Sequence, residues 1–261
     1  MWFFQNISLY LTIRPKLYVS FEAKCIFVKN YIQLIYILNI ETSTKNCSVS
    51  ISKDGSLLAI KELNNGNYSH AEVLHPFINA VLEEAQIKIS DLDAVAVSKG
   101  PGSYTGLRIG VSAAKGLCFA QNIPLISIET LTSLAHATKV EDGVIIPMLD
   151  ARRMEVYAAV YNSEYDQVRE IKAEIIDEDS YSEYLEKGKV YFLGDGAEKC
   201  KEMIKSTNAI FIDDAFPSAN ELCELAYGKY KKNDIEDVAY FEPFYLKDFI
   251  VVPEKKKKPT F

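Results

Sequence analysis

Residues 98–110, SKGPGSYTGLRIG, form a glycine-rich stretch between an alternating apolar run and a long helical pattern. Glycine allows backbone conformations closed to other residues and lets another backbone or an anion approach closely. A strand, a glycine loop and a helix start together predict a concave group of N–H donors. The spacing, however, lacks both the lysine of a nucleotide phosphate loop and the G-x-G-x-x-G of a dinucleotide fold. Two interpretations remain open, an anion cradle and a turn that lets the following helix pack closely.

The composition is that of an ordinary globular protein, since 48% of the 261 residues are hydrophobic and 25% are charged. The formal net charge of -7 argues against a broad basic surface for nucleic acid. Any contact with RNA is therefore expected to be indirect or to use a local patch. The five cysteines are scattered and form no C-x-x-C pair, which predicts reduced thiols in a cytoplasmic protein.

Both ends of the chain differ from the middle. Residues 1–36 are rich in aromatic side chains but are interrupted by charges, so no run approaches the roughly 18 to 20 apolar residues of a membrane span. No small-residue cleavage site follows a clean apolar core, as a signal peptide requires. We expect an atypical extension at 1–36, no membrane anchoring, and a basic disordered tail at 251–261, where four lysines follow one another.

The first half of the organised chain, residues 37–142, predicts one lobe. Ser69 and Glu72 have the spacing of a capping box ahead of a helix at 69–85. The glycine loop leads into a second helix at 105–120, whose small residues favour close packing by a neighbouring helix. The predicted strands lie at 37–40, 47–52, 57–61, 93–98 and 124–128.

After residue 143 the pattern begins again. An apolar strand at 144–149, the polar turn DARR and an alternating strand at 155–161 repeat the strand, polar turn and strand of residues 37–51. This weak internal repeat predicts a duplicated fold, with a second, smaller and less regular lobe at 143–250.

Several segments, in this order, resemble the TsaB (YeaZ) family: NIETSTKNCSVSI, SHAEVLHPFINAVLEEA, VAVSKGPGSYTGLRIG, DARRMEVYAAVY and, more weakly, PFYL. The similarity covers about residues 37–250. The most specific part is the signature loop, of which we single out Gly100, Pro101, Gly102, Ser103, Tyr104, Thr105, Gly106 and Arg108.

The resemblance implies a two-lobed α/β fold of the actin, Hsp70 and sugar-kinase class (ASKHA, ribonuclease H-like), with mixed sheets and flanking helices. It also implies a non-catalytic subunit of the system that makes threonylcarbamoyladenosine beside the anticodon of tRNAs reading ANN codons. The implied partners are a catalytic TsaD-like subunit and a TsaE-like ATPase. Contact with tRNA is implied only through the complex, and a homodimer is possible when the chain is alone.

In the family the pairing surface is built from first-lobe helices. Here the corresponding residues are Leu74, Phe77, Ile78, Gly106, Gly110, Ala113 and Ala114. A bulky residue at Gly110 is then expected to weaken pairing while leaving the fold intact.

No group in the sequence is a convincing catalyst. His70 and His75 are five residues apart and diverge by about 140° on a helix, so they are not expected to share a metal. Ser103 and Thr105 lack a sequence context that supplies a base and are better suited to capping a helix. Asp150 and Glu155 flank two arginines, which predicts a hairpin turn with local ion pairs.

The turn at Glu41, Thr42, Ser43 and Thr44 lies where an actin-like ATPase holds phosphate. It offers a carboxylate and hydroxyls but no glycine, so we expect no cofactor and at most weak ATP or ADP binding at these four residues. The alternative function is an active ATP-binding kinase-like enzyme or a metallopeptidase.

Overall fold

The computed structural model describes residues 34–64, 66 and 69–247. The predicted extension, up to residue 33, and the predicted tail lie outside the described residues. No helix in the described part is long and apolar enough to span a membrane.

The first sheet has five strands in the order β3-β2-β1-β4-β5. Three of them form an antiparallel meander, and the other two continue in parallel from its first strand. Helix α1 (His70–Glu84) precedes the fourth strand and helix α2 (Tyr104–Gln121) follows it. The strands are β1 (Tyr36–Glu41), β2 (Cys47–Lys53), β3 (Ser56–Leu63), β4 (Ala94–Gly100) and β5 (Leu125–Glu129).

The second sheet repeats this plan, with the order β10-β9-β6-β7-β8. Its first three strands again form an antiparallel meander, and the last two again run parallel to the first. The strands are β6 (Val144–Asp150), β7 (Glu155–Asn162), β8 (Gln167–Ile175), β9 (Val190–Leu193) and β10 (Ala209–Ile212). The predicted duplicated α/β fold with mixed sheets, of the actin, Hsp70 and sugar-kinase class, is confirmed.

Three further helices accompany the sheets. Helix α3 (Thr130–Ala135) connects the two sheets, the short helix α4 (Ser182–Leu185) lies between β8 and β9, and helix α5 (Ala219–Lys231) follows β10. Leu222 and Ala226 of α5 share a buried cluster with Ile37, Ala96 and Ile126 of the first sheet. The second lobe predicted at 143–250 thus wrongly includes α5, because this helix covers a face of the first sheet.

The other face of the first sheet is covered by α1 and α2. Leu74 and Ile78 of α1, with Val111 and Ala114 of α2, are buried in one cluster against the strands. Burial of the Leu, Ile and Val side chains contributes about 1.5 to 3 kcal/mol each, so this layer carries much of the stability of the first sheet. The two helices are therefore fixed to the sheet, and only their outward faces remain free.

Candidate functional site

The signature loop links the end of β4 to the start of α2. Gly100 has φ +115°, a conformation that disfavours any side chain, and its peptide bond to Pro101 is cis. The Ser103 hydroxyl accepts a hydrogen bond from the backbone N–H of Gly106 at 3.3 Å. The prediction that Ser103 caps the helix is confirmed.

The β1–β2 turn fills the concave side of the loop. The backbone N–H of Ser103 donates to the carbonyl oxygen of Ser43 at 2.6 Å, and the Thr42 hydroxyl donates to the carbonyl of Gly106 at 2.8 Å. A Cβ atom on Gly102 would lie less than 3.0 Å from that Ser43 oxygen. Of the two open interpretations, close packing explains the glycines, because the backbone they admit is the chain's own.

Glu41 closes the inner end of this turn. Its side chain is fully buried, and its Oε1 accepts a hydrogen bond from the backbone N–H of Ser43 at 2.6 Å. The Ser98 hydroxyl donates to the other carboxyl oxygen. Burial raises the pKa of Glu41 above its ordinary value, although these hydrogen bonds oppose the rise.

The weak nucleotide site predicted at these residues stays a prediction, and the burial of their side chains counts against it. Glu41, Thr42, Ser43 and Thr44 are all buried by the chain itself. Their hydroxyl and carboxyl groups bond within the chain or, at Ser43, lie buried without a partner. These four side chains therefore offer no exposed polar group to a phosphate.

A C-terminal segment, residues 236–247, covers the loop from outside, and we call it the strap. The backbone N–H of Phe244 donates to the carbonyl oxygen of Lys99 at 2.7 Å, and a Cβ on Gly100 would lie 2.6 Å from the Phe244 oxygen. The Tyr245 ring lies 4.9 Å from the ring of Tyr104. Sequence reasoning missed this contact, although the weakly matching PFYL segment carries it.

Most of the residues predicted for the partner interface do not lie on an accessible surface. Leu74, Ile78 and Ala114 are buried within the chain. A Cβ on Gly106 or Gly110 would lie less than 3.0 Å from Thr42 atoms, so these glycines make room for the β1–β2 turn and not for another protein. Among the predicted residues, Phe77 and Ala113 keep partial exposure.

The outward faces of α1 and α2 form the accessible apolar surface nearby, which we call the α1–α2 surface. It consists of partly exposed Val73, Phe77 and Ala80 on α1, and Ile109 and Ala113 on α2. Phe119, at the end of α2, is 86% exposed. An aromatic side chain left this open is a frequent feature of protein contact sites.

Arg108 lies at the start of α2, where a cation opposes the helix dipole. No ion pair of Arg108 occurs among the described residues. Its guanidinium instead lies 4.6 Å from the centre of the Tyr104 ring. The aromatic face offsets part of the unfavourable placement.

The histidines have structural contacts. His70 is buried, with Nε2 2.8 Å from the carbonyl oxygen of Thr44. His136 follows the last residue of α3, with Nδ1 2.9 Å from the Thr132 oxygen and its ring 4.2 Å from that of Tyr165. His75 is exposed on α1. Within the described ranges no group of three metal-binding side chains occurs.

The β6–β7 turn has the predicted ion pairs but with other partners. Asp150 pairs with Lys199 and Glu155 pairs with Lys247 of the strap, whereas Arg152 and Arg153 pair with neither. The prediction of a charged hairpin turn is confirmed, and the ion pairs at this turn come from lysines elsewhere in the chain.

Comparison with known proteins defines the class first. The family TsaD, described as tRNA N6-adenosine threonylcarbamoyltransferase, matches residues 66–252. Two Pseudomonas aeruginosa structures, one of YeaZ and one of a protein described as similar to peptidase YEAZ, superpose with TM-scores of 0.68 and 0.72 at 24% identity. They cover 81% and 82% of this chain and all of the other chain, and they show the shared fold.

Curated relatives narrow the class. The tRNA threonylcarbamoyladenosine biosynthesis protein TsaB of Bacillus subtilis is 31% identical over 81% of this chain and 93% of its own length. The corresponding Escherichia coli protein is 28% identical over 81% and 94%. This chain belongs to the TsaB family.

Proposed function

We propose that this chain is a non-catalytic scaffold subunit in the synthesis of tRNA threonylcarbamoyladenosine. Its relatives are named for that pathway. The observation that carries the scaffold role is the closure of the signature loop by the chain's own atoms, with Ser43 on one side and Phe244 on the other. The loop thus acts as a fixed support for α2 and takes no cofactor.

The partner in this proposal is the catalytic TsaD-like subunit, which binds the α1–α2 surface. The TsaD family matches this chain over most of its described part, which supports a partner with a similar fold. Proteins of one fold can pair through equivalent surfaces, as in an isologous dimer. In the cytoplasm a TsaE-like ATPase joins this pair, and the same surface supports a homodimer when the partner is absent.

Reconstitution tests the function. The chain is co-purified with the TsaD-like subunit of the same organism, and threonylcarbamoyl transfer to an ANN-reading tRNA is measured with and without it. We expect a one-to-one complex and transfer that depends on the chain. Full transfer by the partner alone would refute the scaffold role. Calorimetry with ATP and magnesium tests the absence of a cofactor, because micromolar binding with turnover would favour the kinase-like alternative.

A pair of variants tests the surface. Phe77→Asp places a charge within the α1–α2 surface and is expected to weaken pairing at least tenfold. Asn79→Asp adds the same charge to an exposed position about 200° around the same helix and should leave pairing unchanged. Urea denaturation of both variants separates loss of pairing from loss of folding.

A further inference from the structure

The β6–β7 turn, residues 150–155, has an unusual backbone. Arg152 and Arg153 are both in the left-handed region, with φ of +70° and +55°. Two successive residues with positive φ in a hairpin are ordinarily asparagine, aspartate or glycine. Both arginines are exposed. Turn geometry therefore does not explain why arginine occupies these positions.

Hydrogen bonds hold the backbone of the β6–β7 turn in place. The Lys199 ammonium donates to the carbonyl oxygens of Arg153 and Glu155 at 2.8 and 2.6 Å. The backbone N–H of Arg152 donates to a carboxyl oxygen of Asp150 at 2.9 Å. A turn fixed in this way presents the two guanidinium groups from a defined backbone.

The charges around the turn do not cancel. Asp150 is paired with Lys199 and Glu155 with Lys247, so both carboxylates are already occupied. In the described part of the chain neither arginine has an ion pair. Asp195 is a third carboxylate at this turn, since its side chain accepts a hydrogen bond from the backbone N–H of Asp150 at 2.9 Å. The four cations therefore exceed the three carboxylates by one, in a protein whose formal net charge is -7.

We propose that Arg152 and Arg153 bind the phosphate backbone of tRNA directly. This inference rests on the proposed function, which supplies tRNA as the substrate of the complex. The guanidinium fork matches phosphate oxygens in a bidentate manner, and its charge is insensitive to pH. The site binds backbone without reading bases, because phosphate contacts fix position and not sequence.

The sequence beyond the strap favours nucleic acid over an acidic protein. Lys255, Lys256, Lys257 and Lys258 begin eight residues after Lys247, which is paired at this turn. A row of cations of this kind suits a polyanion of regular charge spacing.

The test measures binding of unmodified ANN-reading tRNA to the full-length chain, alone and with the TsaD-like subunit, by fluorescence anisotropy at several salt concentrations. R152N/R153N removes both charges while keeping residues that tolerate left-handed backbone. We expect about a tenfold weaker Kd near 0.1 M salt. We also expect the slope of log Kd against log salt to fall by about 1.4 to 1.8, the value for two phosphate contacts.

Three controls isolate the site. K231N/K232N removes the same charge from exposed positions at the far end of α5 and should leave the Kd within about twofold. R152K/R153K keeps the charge and should keep most of the salt slope. Replacing the four lysines at 255–258 by glutamine separates the contribution of the tail.

The outcomes separate the two proposals. An unchanged Kd and slope in R152N/R153N would overturn the inference, and so would a loss seen only with the tail variant. Weaker pairing with the TsaD-like subunit but normal tRNA binding would assign the arginines to a protein contact and would also overturn it. Failure of the unaltered chain to pair with that subunit would refute the proposed function instead, while titration of the chain alone would still decide the arginines.

Discussion

At the scale of single residues, the glycines of α2 show how one composition permits two interpretations. Small side chains in a row predict a closely packed neighbour, but they do not say which neighbour. In the structure Gly106 and Gly110 face Thr42 of the β1–β2 turn. Gly116, farther along the same helix, has no atom within 4 Å of a would-be Cβ. One helix therefore supplies both a test and its control.

Gly110→Ala should destabilise the fold, reversing the expectation that Gly110 serves only pairing. The new methyl group would overlap the Thr42 hydroxyl oxygen, and overpacking of this kind costs about 1 to 3 kcal/mol. Gly116→Ala should stabilise by up to about 1 kcal/mol, because alanine favours the helix and meets open space. Urea denaturation of both variants measures the difference. Equal stability of the two would contradict the packing assigned to Gly110.

Glu41 should make stability depend on pH. Because burial raises its pKa in the folded state above the unfolded value, the folded state holds the proton more tightly. The resulting stabilisation is fully present below the unfolded pKa, near 4.5, and is lost as the pH rises through the folded pKa. Glu41→Gln keeps an oxygen for the Ser43 N–H and an amide for Ser98, and it cannot ionise.

The variant should therefore gain stability relative to the wild type as the pH rises from 5 to 8, as measured by urea denaturation at each pH. Glu83→Gln, at an exposed position near the end of α1, provides the control and should show no such trend. A parallel decline of wild type and Glu41→Gln would show that another group causes the pH dependence.

At the scale of elements, the sequence predicts those strands and helices that a local pattern of apolar residues marks. The strands and helices of the first sheet appear within a few residues of their predicted positions, because apolar periodicity marks them strongly. Strand β8 was not predicted, since its sequence QVREIKAEI belongs to an exposed edge and mixes charges with apolar residues. The segment after Gly196 likewise forms only a short 3-10 turn, Glu198–Cys200.

The candidate site also contains features that the local sequence predicts and features that depend on distant contacts. The signature loop, the Ser103 cap and the β6–β7 turn could be predicted, since each depends on a few neighbouring residues. The burial of Leu74 and Ile78 and the position of the strap depend on contacts between residues far apart in the chain. Periodicity shows which side chains are apolar but not which element covers them. The predicted partner interface was therefore placed mostly on the buried faces of α1 and α2.

The two helix starts give a prediction at this scale. The Ser103 side chain accepts a hydrogen bond from Gly106, whereas the Ser69 side chain makes no capping bond and the predicted capping box with Glu72 does not form. Ser103→Ala should therefore cost about 0.5 to 2 kcal/mol of unfolding free energy. Ser69→Ala should change it by less than about 0.5 kcal/mol. Thermal or urea denaturation compares them, and a larger loss at Ser69 would contradict the assignment.

At the scale of the whole molecule, segments distant in sequence join the parts of the fold. Helix α5 follows the second sheet but packs on the first, where the Ser50 hydroxyl donates to the carbonyl oxygen of Ala219 at 2.7 Å. The strap then runs from β5, where Glu236 donates its N–H to Leu125 at 2.8 Å, to the β6–β7 turn, where Lys247 pairs with Glu155. The signature loop and the arginine-bearing turn are thus held by the same segment.

This arrangement predicts that loosening the strap exposes the loop. Tyr245→Ala removes the ring that contacts Tyr104, an interaction worth about 0.5 to 1.5 kcal/mol beyond the area it buries. The amide of Phe244, bonded to the Lys99 oxygen, should then exchange with solvent about tenfold faster, since tenfold corresponds to about 1.4 kcal/mol. Tyr240→Ala changes a ring of the same segment that is 84% exposed and should leave this exchange unaltered. Hydrogen exchange followed at residues 98–106 and 241–247 measures both, and amides in α5 should stay protected in either variant. Equal exchange in the two variants would mean that the Phe244 backbone, and not the Tyr245 ring, holds the strap against the loop.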